Sequence, residues 1–194
     1  MNVGLTGSMA CGKSTVVGFF AEAGWKTIET DCIVAELLQN DPIVRKQICE
    51  RWGGGVFRSG DGDVDRKAIA RIVFSDTAEL NWLEALLHPI VRQRWIHELD
   101  TFSSSLCLVE IPLLFEKSLE SYFDLVVCIA SDTSVANSRL VLKGHNTTDI
   151  AQRRSRQFSL DDKIRFSDHV LFNSGSIEFL KRQTLRLIQK IQQR

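Results

Sequence analysis

The stretch Gly4-Leu5-Thr6-Gly7-Ser8-Met9-Ala10-Cys11-Gly12-Lys13-Ser14-Thr15 decides the fold of this 194-residue chain. From Gly7 to Ser14 it matches G-x-x-x-x-G-K-[ST], the pattern of a phosphate-binding loop. Such a loop follows a strand and opens a helix. Residues 2–6 form the short apolar run expected of the strand, and apolar residues between 16 and 23 recur at the spacing of one helical face. The sequence therefore predicts a strand, a phosphate loop and a helix in that order.

The residue types of the loop suit the phosphates of a nucleotide. Gly7 and Gly12 permit backbone turns that point successive N–H groups inward. The helix that begins near Lys13 adds the positive end of its dipole, and Lys13 is expected to reach the β and γ phosphates. The Ser14 hydroxyl is expected to fill one position around Mg²⁺. The alternative interpretation is a glycine-rich turn with a solvated lysine.

Length and charge restrict the class of protein. A chain of 194 residues suits one domain, 1–194, with room for an inserted lobe. The 24 basic residues balance the 24 acidic ones, so the chain has no bulk attraction to nucleic acid or to an anionic membrane. The N-terminus enters a strand at once, which leaves no room for a signal peptide, and no apolar run approaches the length of a membrane span. We expect a cytoplasmic protein that acts on small molecules.

The five cysteines are scattered, odd in number and without C-x-x-C spacing. This pattern favours neither a disulfide framework nor a zinc site. Most of them are expected to be small core residues. Cys11 is the exception, because a thiol beside a helix N-terminus can be acidified and reactive.

A carboxylate is expected at the end of the second strand. Gly24 ends the first helix and residues 25–29 read as a strand, which closes a parallel β-loop-α-β unit. Ligands in such sheets lie beyond the carboxyl ends of the strands, so Glu29, Thr30 and Asp31 are expected to face the phosphate loop. Asp31 can accept a proton from an acceptor hydroxyl, orient it, or bind Mg²⁺ through water. Asp31 can also simply cap a helix over 32–39.

Residues 41–100 are largely helical in pattern. Asp41 precedes proline and Asp65 precedes an apolar run, both as helix caps. Leucines then repeat at helical spacing until His88 and Pro89, where the pattern predicts that one helix ends and another begins. So much helix between two strands indicates a lobe inserted into the α/β core to hold the second substrate.

Three further strands are predicted over residues 106–111, 125–129 and 169–172. Glu110 lies near the end of the first and either contributes to the Mg²⁺ shell or serves the hydrogen bonds of the following loop. Basic residues crowd between Arg139 and Arg156, which is the pattern of a mobile lid over about 139–156. A closing arginine stabilises the phosphoryl group in transfer. A solvated basic face is the alternative.

Several motifs, spread over nearly the whole chain, together resemble the dephospho-CoA kinase family. Besides the phosphate loop, they are Asp31, Asp65-Arg66 with Phe74, Leu86-Leu87-His88-Pro89, Ile111-Pro112-Leu113-Leu114-Phe115-Glu116, and Gln157 with Lys163, Asp168 and Asn173. The resemblance implies a three-layer α/β fold with a parallel sheet, like that of P-loop NTPases and nucleoside monophosphate kinases. It also implies a helical substrate lobe and a lid.

The resemblance further implies an activity and its residues. The family transfers the γ-phosphoryl group of ATP to the ribose 3′-hydroxyl of dephospho-CoA, the last step of coenzyme A biosynthesis, and Mg²⁺ is the expected metal. The implied roles are catalysis by Asp31, Lys13 and Arg139, ATP binding by Gly7, Ala10, Cys11, Gly12, Lys13, Ser14 and Thr15, and acceptor binding by Asp31, Arg66 and His88.

The chain departs from the family pattern at five positions. Ser8 and Ala10 stand where glycines are common, and Glu29 and Glu110 stand where aspartates are usual. Lys143 occupies the position of a second lid arginine, and an ammonium cannot reproduce a guanidinium fork.

Two alternatives stay open at this point. The first is another small-molecule kinase with the same loop, whose acceptor is a nucleoside monophosphate or a sugar acid. The D-G-[FY]-P-R pattern of nucleoside monophosphate kinases is absent from this chain. A GTPase-like switch lacks its [NT]-K-x-D motif here. The sequence leaves open whether the protein is a monomer or a small homo-oligomer.

Overall fold

A five-stranded parallel sheet carries the fold. The computed structural model describes residues 1–60, 62–102, 105–142, 144 and 147–193. The strands are β1 (Asn2–Gly7), β2 (Lys26–Glu29), β3 (Cys107–Glu110), β4 (Leu125–Ala130) and β5 (His169–Phe172). Their order is β2-β3-β1-β4-β5, and every neighbouring pair is parallel. The predicted α/β class is confirmed, with the strand of the opening motif at the centre of the sheet.

The helices within the described residues are α1 (Lys13–Glu22), α2 (Thr30–Asn40), α3 (Pro42–Trp52), α4 (Arg66–Ser75), α5 (Thr77–Thr101), α6 (Thr133–Leu142), α7 (Thr147–Arg154), α8 (Leu160–Phe166) and α9 (Ile177–Gln192). The chain divides into two compact units. The first, here called the sheet unit, comprises residues 1–29 and 99–194, and the second, the helical unit, comprises Thr30–Glu98. The predicted substrate lobe, 41–100, overlaps the helical unit.

Alternation along β1 places helices on both faces of the sheet. Val3 and Leu5 are fully buried in a cluster that includes residues of α1 and α9. On the opposite face, a Cβ at Gly4 would lie 2.8 Å from a methyl carbon of Leu114 and 2.9 Å from the Phe123 ring, so this strand position has no room for a side chain. Helix α8 also packs against β1 and β4, so helices cover both faces and the sheet is the middle of three layers.

The helical unit corrects one sequence prediction. α5 runs from Thr77 to Thr101 without ending at His88 and Pro89. Proline lacks the N–H that would bond to Ala85, and such an interruption ordinarily kinks or ends a helix. Here one buried face continues across it through Leu83, Leu87 and Val91, and packing of that face overrides the local preference.

A second correction concerns the start of α2. The helix begins at Thr30, directly after β2, and Asp31 lies inside its first turn. Asp31 is therefore not the N-cap that one interpretation assigned to it. An acidic residue in a first turn is still favourable, because the N-terminal end of a helix carries partial positive charge.

Among the described helices, none is both long and apolar enough to cross a bilayer. Of the predicted lid, α6 and α7 are described, whereas Lys143, His145 and Asn146 lie outside the described residues.

Candidate active site

The phosphate loop between β1 and α1 has the backbone that its motif predicts. Gly7 has a φ of +149° and Gly12 a φ of +104°, in the region that favours glycine. A Cβ at Gly7 would lie 2.5 Å from the carbonyl oxygen of Ile129, and one at Gly12 would overlap the side-chain nitrogen of Asn173. Ala10 also has a positive φ, 55°, although it carries a Cβ. The loop is thus held in a conformation that costs about 1 to 3 kcal/mol per strained non-glycine residue.

Lys13 lies against the loop that it follows. Its Nζ is 3.4 Å from the Gly7 carbonyl oxygen, 3.3 Å from that of Ser8 and 3.7 Å from Oε1 of Glu110. The exposed fraction is 12% for the Lys13 side chain and 4% for Glu110. Glu110 is in register with Leu5 of β1 and with Glu29 of β2. The structure therefore places the Glu110 carboxylate beside the loop lysine.

Asn173 fastens the loop from the other side. It follows β5, and its Nδ2 donates to the Cys11 carbonyl at 2.7 Å in a buried hydrogen bond. Its own N–H donates to the Ala130 carbonyl at 2.7 Å. The sequence showed Asn173 as part of a family pattern and gave it no task. A polar residue directly after a predicted strand was the available signal.

Arg139 reaches the same loop from α6. Its Nη1 donates to the Ala10 carbonyl at 3.3 Å, and its Nη2 lies 3.2 Å from the Asn173 carbonyl and 3.4 Å from Asn173 Oδ1. One guanidinium thus joins the phosphate loop to the segment after β5. These contacts distinguish Arg139 from a solvated basic residue.

The thiol of Cys11 is not the reactive group that its position suggested. The residue is fully buried. Burial raises the pKa of the Cys11 thiol, and the nearby charge of Lys13 lowers it by less. The expectation of an acidified thiol is therefore wrong. Cys11 contributes its backbone to the loop.

The described residues offer no preformed metal cage. Among them, no group of three or more His, Cys, Asp or Glu side chains could hold a metal ion. Ser14 lies exposed at the start of α1, next to Lys13. A hydroxyl and neighbouring carboxylates are oxygen ligands of the kind that Mg²⁺ takes, and Mg²⁺ is ordinarily held by few protein ligands together with substrate phosphates.

A buried ion pair supports the sheet unit behind the loop. Lys163 of α8 is fully buried, and its Nζ lies 2.9 Å from Oε1 of Glu116 and donates to the Pro112 carbonyl at 2.7 Å. That same carbonyl accepts from the Thr6 hydroxyl of β1 at 3.3 Å. Glu116 Oε1 also accepts from the Phe158 N–H at 2.7 Å. The sequence showed Glu116 and Lys163 as parts of the family pattern and gave neither of them a task.

The predicted acceptor residues belong to the helical unit. Asp31 is exposed in the first turn of α2. Arg66 is the exposed first residue of α4, which Asp65 caps through the N–H groups of Lys67 and Ala68. His88 is half-buried in the middle of α5.

The helical unit also has a surface groove of about 730 Å³ between α3 and α5. It is lined by Pro42, Ile43, Lys46, Gln47, Glu50, Arg51 and Trp82. Among these described residues is none of the predicted acceptor residues, so the groove gives no support to a substrate site.

Comparisons with known proteins agree with this architecture. A family model described as dephospho-CoA kinase matches residues 1–178. The dephospho-CoA kinase of Legionella pneumophila (strain Lens) is 37% identical over 190 residues, which cover 97% of this chain and 94% of that protein.

Solved structures share the fold of this chain. A crystal structure of a Thermus thermophilus protein has a TM-score of 0.79 and 30% identity, and covers 98% of this chain and 97% of that one. Dephospho-CoA kinase from Campylobacter jejuni has a TM-score of 0.73 over 98% of this chain and 96% of that one, with 24% identity, and shows the shared fold.

Proposed function

This chain belongs to the dephospho-CoA kinase family, whose reaction is the ATP-dependent phosphorylation of dephospho-CoA in coenzyme A biosynthesis, and we propose that Lys13, Asp31 and Arg139 carry that reaction out. The acceptor is the ribose 3′-hydroxyl. The phosphate loop binds ATP, and Asp31 serves the hydroxyl that attacks its γ-phosphorus.

The position of Lys13 is the observation that carries the proposal. Within the described part of the chain, the oxygens of Gly7, Ser8 and Glu110 lie 3.3 to 3.7 Å from its Nζ, farther than the 2.7 to 2.9 Å of strong charge-assisted hydrogen bonds. The ammonium therefore has weak contacts to give up when the oxygens of a triphosphate enter the loop. Once there, it neutralises the charge on the β and γ phosphates.

Arg139 has a related role. Its contacts with Ala10 and Asn173 hold a guanidinium at the edge of the loop. A planar fork of N–H donors matches phosphate oxygens, and its charge is permanent. Arg139 thus stabilises the negative charge that spreads over the transferred group.

Asp31 acts on the acceptor. The supporting facts are its exposure and its place two residues after the last residue of β2. A carboxylate at a strand end accepts the proton of the attacking hydroxyl or orients that hydroxyl. Arg66 and His88 bind other parts of dephospho-CoA. The helical unit is accordingly the acceptor lobe of a single kinase domain, and residues 139–156 are its lid.

Mg²⁺ is the metal that we expect to accompany ATP. Ser14 would supply one oxygen ligand, and either Glu29 or Glu110 would act through water. The ion supplies electrostatic neutralisation of the phosphate oxygens. The protein is further proposed to be cytoplasmic, a monomer or small homo-oligomer, and without a nucleic acid partner, in line with its net charge of zero.

The test is an acceptor screen with ATP and Mg²⁺. ADP release is followed with dephospho-CoA, nucleoside monophosphates and sugar acids, and phosphorylation at the 3′ position is checked by mass spectrometry and NMR. Turnover specific to dephospho-CoA is expected. Turnover confined to another acceptor would contradict the proposal.

Two variants test the residue roles. Lys13→Ala is expected to abolish turnover while leaving the fold intact, which circular dichroism checks. Asp31→Asn is expected to lower kcat by about 10² to 10⁴ with the KM for ATP unchanged. Asp161→Asn is the matched control, because Asp161 is also an exposed aspartate in a helix first turn. An effect of Asp31→Asn confined to KM would remove Asp31 from the chemical step.

A further inference from the structure

The buried ion pair of Lys163 and Glu116 is more polar than the stability of the fold requires. Lys163 is fully buried, and the Glu116 side chain is 8% exposed. Taking two charges out of water offsets much of their attraction, and an apolar pair of similar volume is often as stable or more so. The second carboxylate oxygen, Glu116 Oε2, is buried and has no hydrogen-bond partner within the described part of the chain, which adds to the cost. This cost indicates a role besides stability.

Lys163 joins α8 to the strand that enters the phosphate loop. Its Nζ donates to the Pro112 carbonyl at 2.7 Å, and the same carbonyl accepts from the Thr6 hydroxyl at 3.3 Å. Thr6 directly precedes Gly7, and Pro112 lies two residues after Glu110. The ammonium is therefore held by a carbonyl whose place is fixed by both β1 and the segment after β3.

Glu116 holds the connection between α7 and α8. Its Oε1 accepts from the Phe158 N–H at 2.7 Å. Phe158 directly precedes Ser159, the N-cap of α8, and N–H groups at that end of a helix have no partner within the helix. One residue earlier, the Gln157 N–H donates to the Arg154 carbonyl, in the last residue of α7, at 3.0 Å. The connection is thus bonded to α7 on one side and to a buried carboxylate on the other.

The hydrogen bond of Phe158 lies at one end of the proposed lid, residues 139–156. Arg139, at the other end, contacts the Ala10 carbonyl of the phosphate loop. A hydrogen bond to an ionised and buried carboxylate is short and strong, so it restricts the position of the connection. Position matters for rate, because a displacement of about 1 Å caused by a distant mutation can lower turnover by about 10².

We propose that Glu116 is a positioning residue of the kinase, which fixes through the Phe158 N–H the point where the lid joins α8, with Lys163 as the buried cation that holds Glu116. The proposal rests on the proposed function, which makes residues 139–156 the lid. Glu116 acts through the lid and not on a substrate. Its loss is therefore expected in kcat, the parameter that depends on the placement of Arg139 during transfer.

Two double variants separate this role from a structural one. Lys163→Met with Glu116→Met removes both charges and the acceptor of the Phe158 N–H. Lys163→Met with Glu116→Gln removes both charges but keeps a neutral carbonyl oxygen as acceptor. Neither variant leaves a buried charge alone, so both are expected to fold, which circular dichroism checks.

Steady-state kinetics with ATP and dephospho-CoA give the first readout. The variant with methionine at both positions is expected to lose about 10- to 100-fold in kcat, with both KM values within about threefold of the wild type. The variant with glutamine is expected to keep a kcat at least about fivefold higher, because one neutral hydrogen bond remains. Equal kcat values in the two double variants, or an effect confined to KM, would overturn the proposal.

The matched control is Lys181→Met with Glu22→Met. This exposed ion pair also joins two helices of the sheet unit, and its N–O distance of 2.9 Å equals that of the buried pair. Its kcat is expected to stay within twofold of the wild type. A loss as large as that of the buried double variant would show that removal of any such pair lowers turnover, and would overturn a specific role for Glu116.

Hydrogen exchange of the Phe158 amide, followed by NMR, tests the anchor without any substrate and in the wild-type protein. The amide is expected to exchange at least about tenfold more slowly than in an unstructured peptide. Exchange at the peptide rate would overturn the proposal even if the variants fail to fold. If the wild type does not phosphorylate dephospho-CoA, the proposed function fails, whereas this measurement still decides whether Glu116 fixes the connection.

Discussion

Replacement of Lys163 by methionine is expected to destabilise the protein strongly. The side chain is fully buried, and its ammonium neutralises Glu116, whose carboxylate is 8% exposed. Methionine fills much of the space of the lysine stem but leaves that carboxylate buried without its cation. Removing one partner of a buried pair costs about 3 to 5 kcal/mol. For a chain of this size each kcal/mol lowers Tm by about 2 to 4 °C, so Tm should fall by about 6 to 20 °C.

Thermal unfolding followed by calorimetry and circular dichroism measures this loss. Lys46→Met is the matched control, because Lys46 forms an exposed pair with Glu50 at 3.8 Å and such pairs contribute about 0.3 to 0.5 kcal/mol. The double variant Lys163→Met with Glu116→Met should recover at least about 1 kcal/mol relative to the sum of the single changes, since neither charge is left alone. If Lys163→Met is no more destabilising than Lys46→Met, the buried pair does not act as argued.

Three other changes give distinct outcomes. Gly12→Ala should lower the free energy of unfolding by about 2 to 5 kcal/mol, because a left-handed φ is strained for alanine and because its Cβ displaces the Asn173 amide from the Cys11 carbonyl. An unchanged Tm in a thermal denaturation scan would contradict this. Arg139→Lys should lower kcat by about 10- to 100-fold in the coupled ADP assay, because an ammonium cannot reproduce the fork to Ala10 and Asn173, and wild-type kcat would exclude a role in transfer. Burial raises the pKa of the Cys128 thiol from 9.0 to about 12. Its contribution to stability is therefore complete below pH 9 and is lost as the pH rises toward 12. Cys128→Ala should flatten the fall in the free energy of unfolding between these pH values, and equal slopes for the variant and the wild type in urea titrations would refute the assignment.

Much of the sheet unit was predictable because its signals are local. A glycine pattern with one lysine fixes the phosphate loop, and uninterrupted apolar runs fix β3 and β4 as central strands. The order of the strands was not predictable in this way. β2 pairs with β3 and not with β1, and the residues that decide this pairing lie far apart in the chain.

The two errors in the helical unit have the same cause. Pro89 predicted a helix end, and Asp31 was compatible with a cap, because both judgements used intrinsic preferences of single residues. The buried face of α5 and the direct passage from β2 into α2 decided the outcome instead. Tertiary packing overrides local preference when the apolar area on one helix face is large.

The residues of the candidate site also differ in how far the sequence could predict them. Gly7, Gly12, Lys13 and Ser14 follow from one motif, whereas Glu110 and Asn173 meet the loop from strands that lie more than 90 residues further along the chain. Only a folded sheet brings such residues together.

The proposed function requires phosphate to bind at a lysine that already has a carboxylate beside it, and the geometry around Lys13 is compatible with this. Glu110 is nearly buried, so its charge interacts with Lys13 in surroundings where screening by water is weak. At 3.7 Å the pair holds the ammonium at the loop without the short contact of a tight ion pair. A nucleotide phosphate carries more negative charge than one carboxylate, and it also accepts hydrogen bonds from the backbone N–H groups of the loop. On the proposed function, binding would move Lys13 toward the stronger anion over a short distance, and Glu110 would hold the lysine in position for that move. A Glu110→Gln variant should accordingly weaken ATP binding in calorimetry, because the lysine is then less well placed; tighter ATP binding by this variant would show that Glu110 acts as a competitor for the lysine and not as its positioning partner.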